Sequence, residues 1–213
     1  MAKSEAFALF LMYAYYPLRM FKYYSDFVEE QINKEIEGRE RILDTNLNGE
    51  NTMTEEDKKE LLENHKYETA KYKEDFINIS RSSSIINIYS FAEKQLVMLC
   101  DKNTKNKNET FKKNKDKKGV INNAKDYLEK IGIDFLILEN EWKLIDDVRL
   151  IRNCFAHDAG EVEESNLALI GAINRTPGVS INSSNEIYLE KELADLLNES
   201  VNKILDKIYR YTY

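Results

Sequence analysis

The chain has 213 residues, 42% hydrophobic and 32% charged, a balance that describes a folded globular protein and excludes a disordered one. Seven glycines and two prolines are too few for an all-β protein built on many tight turns. A net charge of -7 excludes a general nucleic-acid coat, although eight lysines against three acids between Asp101 and Lys118 make a local +5.

Helical periodicity opens the chain, from about Lys3 to Glu37. Phe10, Tyr13, Pro17, Met20, Tyr24, Phe27 and Gln31 fall on one side, with Leu9, Phe21, Val28 and Ile32 beside them. Pro17 removes a backbone donor and disfavours helix at Tyr16, so a kink or break is expected there. The aromatic residues of this segment read most simply as core and interface; a base-stacking surface is the alternative. Its uncharged run, Ala6 to Leu18, is thirteen residues long. A membrane span needs about 20, and no signal-peptide pattern surrounds the run. The expectation is a cytoplasmic protein with no membrane partner.

Asp44 to Thr52, with Asn48-Gly49, reads as a loop. A second helix starts at Thr54, which can cap it, with Glu55, Glu56 and Asp57 suiting the positive end of the helix dipole. Leu62, His65, Thr69, Tyr72, Phe76 and Ile79 make its inner stripe, and His65 reads as a half-buried structural histidine. Ser82-Ser83-Ser84 interrupts this helix or caps the next. Ile85 to Cys100 is apolar nearly all round and reads as the central buried helix.

Residues 102–118 read as a mobile basic loop. Its lysines, Lys102, Lys105, Lys107, Lys112, Lys113, Lys115, Lys117 and Lys118, are either a solvated surface or an electrostatic funnel for RNA. A short helix follows, about Ile121 to Lys130. Another runs from about Glu139 to Ala156, with Trp142, Ile145, Val148, Ile151 and Phe155 inward and Gly160 placed to end it. Val179–Asn182 and Glu186–Leu189, joined by Ser183-Ser184-Asn185, form a hairpin. A last amphipathic helix carries Leu193, Leu197, Val201, Ile204 and Ile208 inward. The expected fold is all-α, a single domain over 1–213, with a minor β-hairpin near the C-terminus. Cys100 and Cys154 lie in predicted helices and read as reduced, buried thiols; no Cys/His cluster has zinc spacing.

The segment Arg149-Leu-Ile-Arg152-Asn153-Cys-Phe-Ala-His157 carries the most chemistry. At about 100° per residue, Asn153 and His157 share a face with Leu150 and Asp146. Arg152 lies at the margin of the apolar stripe, where a charged group normally has an anionic partner. Arg152 and His157 sit roughly 140° apart and are not stacked neighbours, so the long Arg side chain or a second copy of the helix is needed to bring both to one phosphate. The chemistry these groups suit is RNA cleavage by the 2′-hydroxyl. Histidine titrates near pH 6.5 and serves as acid or base, and a guanidinium offers a fixed fork to phosphate oxygens. One histidine per chain falls short of an acid-plus-base pair, and a symmetric dimer supplies the second. The plain alternative is a helix C-terminus carrying cations that suit the dipole.

Arg152-Asn153-Cys-Phe-Ala-His157 resembles the R-x4-6-H signature of the HEPN (higher eukaryotes and prokaryotes nucleotide-binding) superfamily, in which a polar residue, often Asn, follows the Arg. Trp142 to Ile151 resembles that family's motif-bearing helix, and the helix with Tyr89-Ser-Phe-Ala-Glu93 resembles its long packing partner. The resemblance covers about residues 84–160. It implies a HEPN-like helical bundle, an obligate homodimer and cofactor-free, metal-independent cleavage of RNA, and such proteins recur as toxins and antiviral-defence effectors. By motif position Arg152 and His157 take the catalytic roles and Asn153 a supporting one; the implied partners are RNA, a second copy, and an antitoxin or defence-complex protein. One departure stands out. HEPN toxins paired with nucleotidyltransferase antitoxins carry a Tyr two residues after the His, where this chain has Ala159. Three further residues have two readings each. Glu93 pairs with Arg152 or Arg149, or faces water; Arg149 supports the site or only the helix; Asp158 orients the imidazole or is a solvated turn residue.

Overall fold

Pro17 does not end the first helix. In the computed structural model, which describes residues 2–49, 53–106, 111 and 119–213, α1 (Ala2–Phe10) passes through a π-helical turn at Leu11–Tyr15 into α2 (Tyr16–Gly49). A proline at 17 leaves the Tyr13 carbonyl without its usual donor and crowds it. A wider turn relieves the crowding, with the Tyr16 N–H bonded to the Leu11 carbonyl five residues back. The wide turn also resets the faces. Ala6, Phe10, Ala14 and Leu18 are buried, every fourth residue, two of them small enough for close helix approach. Of the row that falls on one side by periodicity, Phe10 is inside, whereas Tyr13, Met20, Tyr24 and Phe27 are about half exposed.

Helix α2 continues past Glu37 to Gly49, which corrects the expected loop over 44–49; residues 50–52 lie outside those described. Ile32, Ile36 and Leu43 keep the buried stripe going. An Arg39–Glu35 ion pair one turn apart and a Thr45 Oγ1 bond to the Arg41 carbonyl add local support. Thr54 caps α3 (Glu55–Asn106) as expected: its Oγ1 accepts the Asp57 N–H at 3.2 Å, and the Asp57 carboxylate accepts the Thr54 N–H at 3.0 Å.

The serine triplet at 82–84 does not interrupt α3. Ser84 is buried next to Ile85, Ile88 and Tyr89, and that packing overrides the weak helix preference of serine. Upstream, Thr69, Tyr72 and Ile77 turn inward, while Phe76 and Ile79 are exposed, so the expected stripe is corrected at its C-terminal end. Residues 101–106, expected in a loop, are helical. Asn103 and Thr104 bond back to the Leu99 and Cys100 carbonyls, and Asn103 also donates to Thr212 Oγ1.

The chain divides into two compact units, Met1–Lys22 with Ser82–Tyr213, and Tyr23–Arg81. The second is a helix pair around Ile32, Ile36 and Ile77, with Val28 and Tyr72 packed on them and a shielded Arg81–Glu29 ion pair at 2.8 Å. The first unit holds the main core. Around the apolar part of α3 lie α4 (Gly119–Lys130), α5 (Glu139–Asp158), α6 (Leu167–Arg175) and α7 (Lys191–Thr212). Helix α6 is a short apolar run, capped by Asn166 through the Leu169 N–H, that the sequence reading left unassigned. The expected inner residues of α7 are all buried, and α7 packs on both α1 and α5. Tyr209 on α7 donates from its hydroxyl to Gln95 of α3 inside this core. Strands β1 (Val179–Ile181) and β2 (Ile187–Leu189) pair antiparallel, Val179 opposite Leu189, as the hairpin pattern predicts. The fold is all-α with one minor hairpin near the C-terminus. No helix among the described residues is long and apolar enough to cross a membrane.

Helices α5 and α7 are also tied at their surface by Lys203 Nζ to Glu141 Oε1, 2.9 Å. The hydrogen bond from Lys203 holds the Glu141 carboxyl below its usual value of 4.5. A carboxyl depressed in the folded state adds stability above its ordinary pKa and loses it as pH falls through the lowered value. The lysine is half exposed, so the contribution is about 0.5 kcal/mol. Glu141→Gln is expected to lower the urea-unfolding free energy by that amount at pH 7 and by nothing measurable near about pH 2.

Candidate functional site

The motif lies in the last two turns of α5, and three features fix that end of the helix. Ile145, Val148, Ile151 and Cys154 are buried and hold the inner face against the core. Ala159 then takes a left-handed conformation at φ 52°, and Gly160 follows at φ 92°. The N–H groups of both turn back to the Cys154 carbonyl, which closes the helix at Asp158, two residues later than the expected Ala156. Finally, the hairpin clamps the exit: the Ile187 N–H bonds the Gly160 carbonyl at 2.9 Å and the Val162 N–H bonds the Asn185 carbonyl at 2.8 Å. A side chain at 160 would meet the Phe155 ring at 2.8 Å, so glycine there serves both backbone and packing.

Arg152 is half-buried, as its position at the margin of the apolar stripe predicts, but its partner is not an anion. Nη1 donates to Asn153 Oδ1 at 2.7 Å, and Cζ lies 5.2 Å from the centroid of the Tyr89 ring on α3. Nε is enclosed, with no hydrogen-bond partner among the described residues. The side chains of Arg152 and Asn153 are thus brought together, and the amide accepts one donor of the fork. His157 is exposed at the helix end, where it suits the dipole, and forms no side-chain hydrogen bond with Arg152 or Asp158. Asp158 is exposed too; its carbonyl accepts the Glu161 N–H. Of its two readings, the exposed side chain and this backbone bond match the solvated turn residue.

Arg149 is held by Asp146, Nε to Oδ1 at 2.9 Å, and the same carboxylate oxygen accepts from Asn122 of α4 at 2.6 Å. Glu93 is half-buried on α3 and makes no ion pair with Arg149 or Arg152 among the described residues, which settles neither of its expected pairings in favour of an arginine. Its charge is nevertheless felt by Tyr89. Burial, with a smaller push from Glu93, raises the phenol well above its ordinary pKa, so Tyr89 stays neutral. Tyr89 is the residue that sequence reasoning missed. Its position on the buried face of α3, one turn before Glu93, was the available signal.

The two thiols are buried, as expected. Burial pushes the Cys100 thiol up to about 12, and burial with the Asp158 charge raises Cys154, whose Sγ donates to the Glu161 carbonyl. His65 belongs to the other compact unit, half-buried with Nε2 enclosed and unpartnered. Of the basic segment, Lys102 is exposed with Nζ 3.7 Å from the Tyr213 ring centroid, and Lys105 lies in the final turns of α3. Lys107, Lys112, Lys113, Lys115, Lys117 and Lys118 lie outside the described residues. A groove of about 440 Å3 runs along the N-terminal half of α5, away from the motif. Its charged lining is largely self-paired, Arg175 with Asp147 and Lys203 with Glu141.

The class that fold and site define together is an all-α protein presenting an arginine, an amide and a histidine at one helix end. Searches against protein-family models, curated proteins and solved structures each return no match.

The helix closure makes opposite demands on neighbouring residues. Ala159→Gly removes the left-handed cost of a β-carbon and is expected to stabilise by about 1 kcal/mol. Gly160→Ala combines a positive φ with the Phe155 contact and is expected to destabilise by more than about 1 kcal/mol. Urea unfolding of the two variants checks both signs.

Proposed function

We propose that this chain is a metal-independent endoribonuclease of the toxin or antiviral-defence type, acting as a homodimer. The observation that carries the reading is the Arg152–Asn153 pair and an exposed His157 in the last two turns of one closed helix end. Arg152 offers its remaining N–H groups to a non-bridging phosphate oxygen. His157 of one subunit removes the proton from a ribose 2′-hydroxyl, and the 2′-oxygen attacks the adjacent phosphorus. The bond from phosphorus to the 5′-oxygen breaks, and the second imidazole protonates that oxygen. Products end in a 2′,3′-cyclic phosphate and a 5′-hydroxyl. Two histidines are needed because one cannot be acid and base in the same step, and the dimer supplies them. Lysines 102–118 add electrostatic attraction for the RNA strand.

A second reading is a non-catalytic adaptor that binds RNA, a nucleotide or a partner protein. It draws support from Phe7, Met12, Tyr13 and Tyr16, each about half exposed along the first helical stretch, since contiguous exposed apolar surface marks interaction sites.

RNA cleavage by the purified wild-type chain is expected to vanish in Arg152→Ala and in His157→Ala, each with an unfolding midpoint close to wild type. A 2′-deoxy substitution at the cleaved nucleotide is expected to block the cut, and a chelator to leave it unchanged. Cleavage that persists in both variants, or that stops on chelation, rejects the mechanism; equal growth effects of wild type and His157→Ala on expression favour the adaptor.

A further inference from the structure

We infer that Tyr89 is the positioning residue for Arg152: its buried ring is the platform on which the guanidinium rests, so that one edge of the fork faces outward for an anion. That the anion is an RNA phosphodiester rests on the ribonuclease reading above; the platform itself does not.

An arginine side chain is long and keeps its direction only if several contacts hold it. Among the described residues Arg152 has two. Asn153 Oδ1 takes one N–H of Nη1, and Tyr89 lies under the guanidinium carbon at 5.2 Å, within cation–π range. Asn153 is the next residue on the same helix, so its amide alone cannot fix the side chain relative to α3. Tyr89 does, because it lies on α3, is 3% exposed and belongs to the main core together with Ile145, Val148 and Ile151 of α5. The charged neighbours do not compete for the role. Glu93, one turn along α3, forms no ion pair with Arg152, and Asp146 on α5 is taken by Arg149 and Asn122. Nε faces inward without an acceptor, so the open part of the fork is its Nη edge. A neutral phenol beneath a cation attracts it through the ring face and carries no charge to compete with the incoming anion. Burial raises the phenol above its ordinary value, so the ring beneath the guanidinium is uncharged.

Two variants separate ring from hydroxyl and from bulk. Tyr89→Phe keeps the ring; Tyr89→Leu removes it. The first readout needs no activity: the 15N-resolved Nε–H signal of Arg152. In the wild type and Tyr89→Phe it is expected to be protected from solvent exchange and ring-shifted; in Tyr89→Leu the shift is expected to vanish and exchange to speed up about tenfold or more. The second readout is RNA cleavage. Tyr89→Phe is expected to stay within about threefold of wild type, and Tyr89→Leu to lose about tenfold to a hundredfold in kcat with KM changed far less. A freely exchanging, unshifted Nε–H in the wild type overturns the inference, as does a phenylalanine variant that falls as far as the leucine one. If the wild type cuts no RNA, the ribonuclease reading fails while the exchange signal still decides the platform. If Tyr89→Leu does not fold, the wild-type signal and the phenylalanine variant carry the decision.

Discussion

The candidate site depends on where α5 stops. Its inner face is packed into the core through Ile145, Val148, Ile151 and Cys154, which sets the rotation of the helix about its axis. The N–H groups of Ala159 and Gly160 both bond the Cys154 carbonyl, and Gly160 and Val162 are bonded to the hairpin at Ile187 and Asn185. The three polar residues of interest ride on this fixed end, and their directions follow from it. Arg152 is turned towards α3, Asn153 bonds it, and His157 faces water. The small hairpin thereby gains a purpose that its two three-residue strands would not suggest: it anchors the exit of the motif helix.

Much of this was legible beforehand, for a physical reason. The helices α5 and α7 have clear apolar stripes, and the residues placed inward by periodicity are buried apart from Phe155, which is half-buried. The Thr54 cap and the hairpin turn depend on local chemistry that spacing alone reveals. Failures cluster where local rules are outvoted by packing. Pro17 is absorbed by a π turn, which rotated the aromatic face out towards solvent. The serines at 82–84 and the polar stretch after Leu99 stay helical because buried neighbours or side-chain bonds to the preceding turn hold them. Helix α6 escaped notice because nine residues with a central glycine give a weak periodic signal.

At the site, sequence placed Arg152, Asn153 and His157 on one helix end, and the structure adds how Arg152 and Asn153 are held while His157 stays exposed. The expected anionic partner of Arg152 is replaced by an amide and an aromatic face. Pattern reasoning assigned such a role to a carboxylate because a carboxylate is the commonest solution to a half-buried cation. A tyrosine four residues from Glu93, on a different helix from the motif, becomes relevant only when two helices are seen side by side.

The central claim is that one RNA linkage is served by two chains, each contributing an imidazole. A subunit-mixing measurement tests it most directly. Wild-type and His157→Ala chains carrying different tags are co-expressed, the mixed dimer is purified, and its RNA-cleavage rate is compared with that of the wild-type dimer. The account predicts that the mixed dimer has almost no activity, because a lone imidazole cannot serve as both acid and base in one step. A mixed dimer with half the wild-type rate, or a monomer that cleaves alone, would contradict it.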